Sequence, residues 1–229
     1  MGALTTERIA LRDGDILVLA QKVVSKAEGR YVDLSGVTPS PRARELAAAC
    51  GKDERLIETI LSESTEVLRC RPGLIIVRHK IGIVLANAGI DRSNLPEFPG
   101  SEHVLLLPKD PDASAARIRG EVNEASGVDV AVMIIDSLGR AWRVGTCGAC
   151  IGAAGLPAVL DLRGDPDLFG RTLVSTIVGV GDEIAAAASL VMGQAAEGTP
   201  LVIVRNYAHE GAARAARDLI RPLDEDLFA

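Results

Sequence analysis

The chain has 229 residues, of which 48% are hydrophobic and 24% charged, with a positive mean hydropathy, so a disordered chain is excluded and a folded one is predicted. A single core stops growing near roughly 250 residues, and this length fits one domain built as two coupled, interlocked lobes over residues 1–229. Lys plus Arg number 25 against 31 Asp plus Glu, a net charge of -6, which gives no broad positive field and argues against a nucleic-acid partner.

The apolar run 128–135, with Asp129 inside it, falls well short of the ~20 residues that cross a bilayer, so no membrane span is predicted. Residues 1–6 show no basic, apolar and small-residue series of a secretory leader. With no leader, the four cysteines read as reduced thiols of a cytoplasmic protein.

Asp13-Gly14-Asp15 signals a turn, and Ile16 to Ala20 reads as a buried strand with Gln21 to Lys26 at or just past its end. Between Pro41 and Val67 the apolar positions Ala43, Leu46, Ala47, Leu56, Ile57, Ile60 and Leu61 recur at helical spacing, and Gly51-Lys52-Asp53 divides them into two short helices. Leu74 to Val77 and Ile81 to Leu85 are rich in β-branched residues and read as a hairpin or strand pair around Arg78, His79 and Lys80. The polar stretch from Asn87 to Gly100 is a loop needing special backbone angles. Val104 to Leu107 is a strand, and Asp112 or Ser114 is placed to cap a helix running through Ile118 to about Glu124.

Val128 to Ile135 is the clearest buried strand, ending at Asp136-Ser137. Gly145 to Gly155 is small and Gly-rich, which predicts close backbone approach. Glu183 to Met192 is an Ala-rich helix stopped by Gly193, and Leu201 to Val204 is another strand. Strands alternate with helices while hairpins are mixed in, so the fold class is α/β (α+β) with mixed sheets. The run Ala185 to Ala188 needs no reading beyond good helix former.

Neither GxxxxGK[ST] nor a GxGxxG after a strand is present, so any nucleotide is held in another way. Ser25-Lys26 with Glu28-Gly29-Arg30 combines a hydroxyl, an ammonium and a turn, as phosphate contacts require, although taken alone a solvated turn is the better reading of them. Asp91 is a loop cap or an oxygen ligand for a hard cation; Asp136, after a buried strand, is better placed for the second role. Cys147 and Cys150 have the spacing of a zinc or redox pair, but Cys50, Cys70, His79, His103 and His209 add no second pair, so buried small residues in a tight loop fit better. No Gly-x-Ser-x-Gly elbow occurs, which argues against covalent hydrolysis. Trp142 between Arg140 and Arg143 is either a stacking platform for a planar phosphorylated ligand or a half-buried Trp beside solvated charges.

Several segments in order resemble one family, the coenzyme F420-0:L-glutamate ligases (F420-0 γ-glutamyl ligases). They are the stretch from Asp13 to Arg30 with Val24-Ser25-Lys26-Ala27-Glu28-Gly29-Arg30, Pro39-Ser40-Pro41-Arg42-Ala43, Ala88-Gly89-Ile90-Asp91-Arg92-Ser93-Asn94, and the stretch from Leu107 to Ala115. Asp136-Ser137-Leu138-Gly139-Arg140-Ala141-Trp142-Arg143, Gly152-Ala153-Ala154-Gly155-Leu156-Pro157, the stretch from Asp182 to Ala188 and Val191-Met192-Gly193-Gln194 complete the series.

The resemblance implies an enzyme that uses GTP to activate a carboxylate of F420-0 as an acyl phosphate, which the amine of L-glutamate attacks to form an amide. It places Asp91, Asp136, Ser137 and Gln194 on positions that ligate Mg²⁺ or Mn²⁺, with K⁺ as a further cation. Gln21, Lys22, Lys26, Asn94 and the turn formed by Met192, Gly193, Gln194, Ala195, Ala196, Glu197, Gly198 and Thr199 fall on nucleotide-binding positions. Asp136 and Lys26 take the catalytic roles, and a homodimer is implied.

Two departures bear on specificity. The family's amino-terminal Gly-Ile/Leu-Pro stretch has no counterpart here, so altered nucleotide affinity is expected. After Arg143 the family commonly has Asn-Gly-Gln-Thr-Asp, whereas Val144-Gly145-Thr146-Cys147-Gly148 offers fewer hydrogen-bonding atoms, which suits a different acid substrate. Position 137 is Ser where the family usually has Thr, and the hydroxyl is kept. The alternatives are a paralogue joining an amino acid to another small carboxylate, or a non-catalytic nucleotide-binding subunit; the retained Asp91, Asp136 and Gln194 argue against the latter.

Overall fold

A computed structural model describes residues 9–95, 102–208 and 211–226. Its described residues form two compact units, one from residues 1–20, 110–137 and 146–229 and the other from residues 21–109 and 138–145. The mixture of helices with sheets of mixed orientation is the class predicted from the sequence. Among the described residues no helix is long and apolar enough to cross a membrane.

The first unit is built on a four-stranded sheet. Strand β1 (Ile16–Ala20) lies between β7 (Ala131–Gly139), with which it runs parallel, and β11 (Leu201–Val204), with which it runs antiparallel; β8 (Thr146–Ala154) flanks β7. Both faces of the sheet centre are covered, since Ile16, Val18 and Met133 alternate with Leu17, Val132 and Ile134 and all six are buried. Two helices complete the unit: α4 (Pro111–Ser126) and α5 (Val180–Met192). A short antiparallel pair, β9 (Leu160–Asp161) and β10 (Ile177–Val178), precedes α5.

The small residues of β8 explain how the helices reach the sheet. A Cβ at Gly148 would collide with the Ala185 carbonyl of α5, and one at Gly152 with the Pro111 carbonyl of α4. The predicted close approach is thus real, although Gly145 to Gly155 is largely strand where the cysteines suggested a tight loop. Glycine spacing of four along a strand puts both gaps on one face, and helix backbones fill them.

Two other details differ from the sequence reading. The α4 cap is Asp110, whose carboxylate accepts from Ala113 N at 3.0 Å, with Pro111 as the first helical residue. Asp112 serves elsewhere, as described below. Strand β7 also continues through Gly139, so Asp136 stands inside the strand instead of at its end.

The second unit packs two helices on a three-stranded antiparallel sheet. Helix α2 (Pro41–Cys50) starts at Ser40, whose hydroxyl accepts from Ala43 N, and stops at Gly51; α3 (Glu54–Ser62) starts at Asp53, which accepts from Arg55 N. Those are the two helices predicted. The sheet is β3 (Ser64–Arg71), β4 (Leu74–His79) and β5 (Val84–Ala86), and β3 lacks a sequence signal because only Val67 and Leu68 in it are large and apolar. Leu46, Cys50, Ile57, Ile60, Ile75 and Val77 form the core between the layers. A separate antiparallel pair joins β2 (Tyr31–Asp33) to β6 (His103–Leu105), and a short helix α1 (Gln21–Ala27) begins the unit.

His79 at the end of β4 is 2% exposed, and its Nδ1 accepts from Ile81 N at 3.1 Å. Burial, reinforced by the charges of Arg30 and Lys80, lowers its pKa from 6.5 to about 4. Above pH 6.5 the imidazole is neutral in both folded and unfolded chains. Between pH 6.5 and 4 only the unfolded chain binds the proton, so stability falls as pH drops through this window, by about 3 kcal/mol in all. Urea unfolding from pH 7 to pH 4 should show that loss, and His79→Leu should remove most of its pH dependence.

Candidate functional site

In the second unit, α1 carries Lys22 and Lys26 one helical turn apart, a spacing that puts both on one face. Both reach the same turn. Lys22 Nζ pairs with Asp91 Oδ2 at 2.6 Å and donates to Ser93 Oγ at 2.8 Å, while Lys26 Nζ donates to the Asn94 carbonyl at 2.5 Å. Asp91 itself is fixed by exchange of backbone hydrogen bonds with Leu105 and by Ser93, whose N–H and hydroxyl both donate to Asp91 Oδ1.

Burial pushes the Asp91 carboxyl pKa up, but Lys22 and the two Ser93 donors outweigh this and hold it below the usual value. It is therefore an anion at neutral pH, already holding one cationic group. Asn87, Ala88 and Asn94 have φ of +54°, the special angles predicted for this loop; residues 96–100 of it lie outside the described residues.

Lys22, Lys26, Asp91 and Asn94 are thus brought together. Gln21 is not part of that face: it is 2% exposed, and its Oε1 accepts from Ser25 Oγ at 2.8 Å. Ser93 was missed as a member of the group, although Asp91-Arg92-Ser93 has the spacing by which an Asp side chain bonds the backbone two residues on.

In the first unit, Ser137 Oγ lies 2.6 Å from Gln194 Oε1, so two of the expected oxygen donors meet. Asp136 is half-buried on β7 next to Ser137. Met192 is buried in the core as the last residue of α5, while residues 194–199 are exposed. In this turn Glu197 folds back so that its carboxylate accepts from Ala195 N at 2.8 Å, and the backbone N–H groups hold its pKa down. A side chain at Gly193 would strike that carboxylate, and its φ of +73° also favours glycine. Main-chain N–H groups of the turn are therefore arranged to receive an anion, and the Glu197 carboxylate marks the place.

Among the described residues no three His, Cys, Asp or Glu side chains gather as a metal site. Taken unit by unit, Asp91 in the second and Asp136, Ser137 and Gln194 in the first are oxygen donors of the type that a hard divalent ion takes, and Asp91 shows by its pairing with Lys22 that it takes positive charge. All four cysteines are free. Cys150 is buried, with its thiol pKa raised mainly by burial, which fits an inert packing residue rather than a redox one. His209 lies outside the described residues.

A family model described as F420-0:Gamma-glutamyl ligase matches residues 1–206. Over 232 residues the chain is 47% identical to a coenzyme F420:L-glutamate ligase of Methanopyrus kandleri, covering 100% of this chain and 90% of that protein. Similar proteins of the same description occur in Methanothermobacter thermautotrophicus, at 46% identity over 95% of this chain and 86% of the relative, and in Halobacterium salinarum, at 43% over 99% and 88%.

Proposed function

This chain belongs to the F420-0:gamma-glutamyl ligase family, and on that premise we propose that it is a GTP-dependent ligase joining L-glutamate to F420-0 by an amide bond. The supporting observation is the convergence of Lys22 and Lys26 on the turn of Asp91, Ser93 and Asn94. Two ammonium groups beside an ionised carboxylate are what a nucleotide triphosphate and its cation require together.

The reaction follows from charge and bonding. A carboxylate oxygen of the acid attacks the γ-phosphorus of GTP, a P–O bond forms and GDP leaves with the electron pair of the bond that breaks. The amine of L-glutamate then attacks the acyl carbon, gives up a proton and expels phosphate, leaving the amide. No protein nucleophile is needed, and positioning with charge neutralisation supplies the rate.

Lys22 and Lys26 bind and orient phosphate oxygens, and the backbone N–H groups of Gln194, Ala195 and Glu197, which face the Glu197 carboxylate, offer a second anion contact once that side chain gives way. Asp91 in the second unit, and Asp136, Ser137 and Gln194 in the first, would each serve as ligands for Mg²⁺ or Mn²⁺, with K⁺ as a further ion. A bound divalent ion neutralises charge developing between the phosphates.

We read the protein as a cytoplasmic homodimer; Leu168, Phe169 and Val174, all exposed between β9 and β10, offer apolar surface for a second copy. The exposed Val144, where relatives in the family commonly carry an amide, favours a second reading in which another small carboxylate replaces F420-0.

Purified protein with GTP, Mn²⁺, L-glutamate and F420-0 should release GDP only when glutamate is present and yield a product heavier by one glutamyl residue. GDP release without ligation, restored by another acid, would select the second reading. Binding of GTP with no turnover on any acid would overturn both.

A further inference from the structure

The segment between β7 and β8 holds an arrangement that internal packing does not explain. Trp142 is the protein's one tryptophan, it is 89% exposed, and its φ of +63° lies in the left-handed region. A bulky residue occupies that region only at a cost, and an indole left in water gains none of the burial that usually retains a Trp. Among the described residues neither cost is repaid.

Arg140 and Arg143, on either side, are exposed, and among the described residues neither has a carboxylate partner. A flat π face between two unpaired guanidinium groups matches a ligand with a flat aromatic ring and an anionic group. Guanidinium groups pair with phosphate oxygens in two-point contacts, and indole stacks on electron-poor heterocycles.

We infer that Trp142, with Arg140 and Arg143, is a stacking platform for the planar heteroaromatic ring of a phosphate-bearing substrate. Two substrates of the proposed reaction share that chemistry, the deazaflavin of F420-0 and the guanine of GTP. The inference rests on the ligase reading for these candidates.

Because Trp142 is unique, its fluorescence lifetime reports on the platform alone. Acrylamide quenching of that lifetime is measured with F420-0, with GTP and with neither. Saturable shielding by F420-0 alone assigns the deazaflavin, and shielding by GTP alone assigns guanine. Trp142→Ala should raise the KM of the shielding substrate about tenfold or more while kcat stays within about threefold, and Trp142→Phe should restore most of the KM. Melting should be unchanged, since the side chain is exposed.

Absence of shielding by either ligand overturns the platform, as does an unchanged KM in Trp142→Ala. Shielding that grows with protein concentration in the absence of ligand would place Trp142 in a contact between copies instead. Because shielding is read without turnover, a wild-type protein that binds but does not ligate condemns the ligase reading and leaves the platform result standing.

Discussion

Asp136→Asn is expected to lower glutamate ligation at least about a hundredfold while the protein folds normally. The five residues before it, Ala131 to Ile135, are buried and carry the packing of β7, whereas Asp136 is only half-buried and Ser137 beyond it is exposed. Asparagine keeps the shape and one oxygen but removes the charge, so the strand is undisturbed and a cation loses an anionic ligand. The expected signature is a higher Mn²⁺ requirement together with a lower kcat, and a thermal melt that matches the wild type. Ser137→Ala should be milder, because a neutral hydroxyl contributes less to holding a divalent ion than a carboxylate does. Near-normal turnover of Asp136→Asn at limiting Mn²⁺ would remove Asp136 from the cation assignment.

The parts of this fold that were legible in the sequence are those where one local rule acts alone. Ile16 to Ala20 is an uninterrupted apolar run after a turn, and it forms β1 with those bounds. Gly51-Lys52-Asp53 supplies a helix stop and a helix start within three residues, and α2 and α3 end and begin there. Strand β3 was hidden because its pattern is Ser64, Thr65, Glu66, Val67, Leu68, Arg69, Cys70 and Arg71, with charges at three of eight positions; its place is set by pairing with β4 across the Pro72-Gly73 turn.

The candidate site divides in the same way. Residue types and order pointed to Lys26, Asp91 and Asp136 as candidates, but only tertiary structure brings Lys22 to Asp91 across 69 positions of sequence or turns Gln21 inward. The cap of α4 shows the difficulty most plainly. Asp110, Asp112 and Ser114 all have capping side chains, and propensity alone could not choose among them. The choice is made by the remote partners that Asp112 finds once the chain is folded.

Those partners make Asp112 the site of the largest expected loss of stability. It is 9% exposed, and its Oδ1 accepts from Ala153 N at 2.9 Å in β8 and from Ala216 N at 2.8 Å, while Oδ2 accepts from Arg217 Nε at 2.9 Å. One carboxylate therefore ties α4 to β8 and to the turn at Ala216–Leu219. Asp112→Ala leaves the buried N–H groups of Ala153 and Ala216 without a partner, each worth about 1–3 kcal/mol, and removes a weaker contact with the part-buried Arg217 N–H, so a total loss of about 3–5 kcal/mol is expected. For a chain of this length the melting temperature should fall by roughly 10 °C.

Arg217→Ala should cost much less, because the guanidinium is largely exposed and water replaces its contact. Asp112→Asn should fall between them: an amide oxygen in the Oδ1 position keeps the Ala153 and Ala216 N–H bonds, while the new NH₂ faces the donors of Arg217. The ranking of the three variants in urea unfolding is the decisive measurement. If Arg217→Ala were as damaging as Asp112→Ala, the ion pair would be the fastening and the two backbone donors incidental. If Asp112→Ala alone is severe, the buried N–H groups are what the carboxylate is there to satisfy.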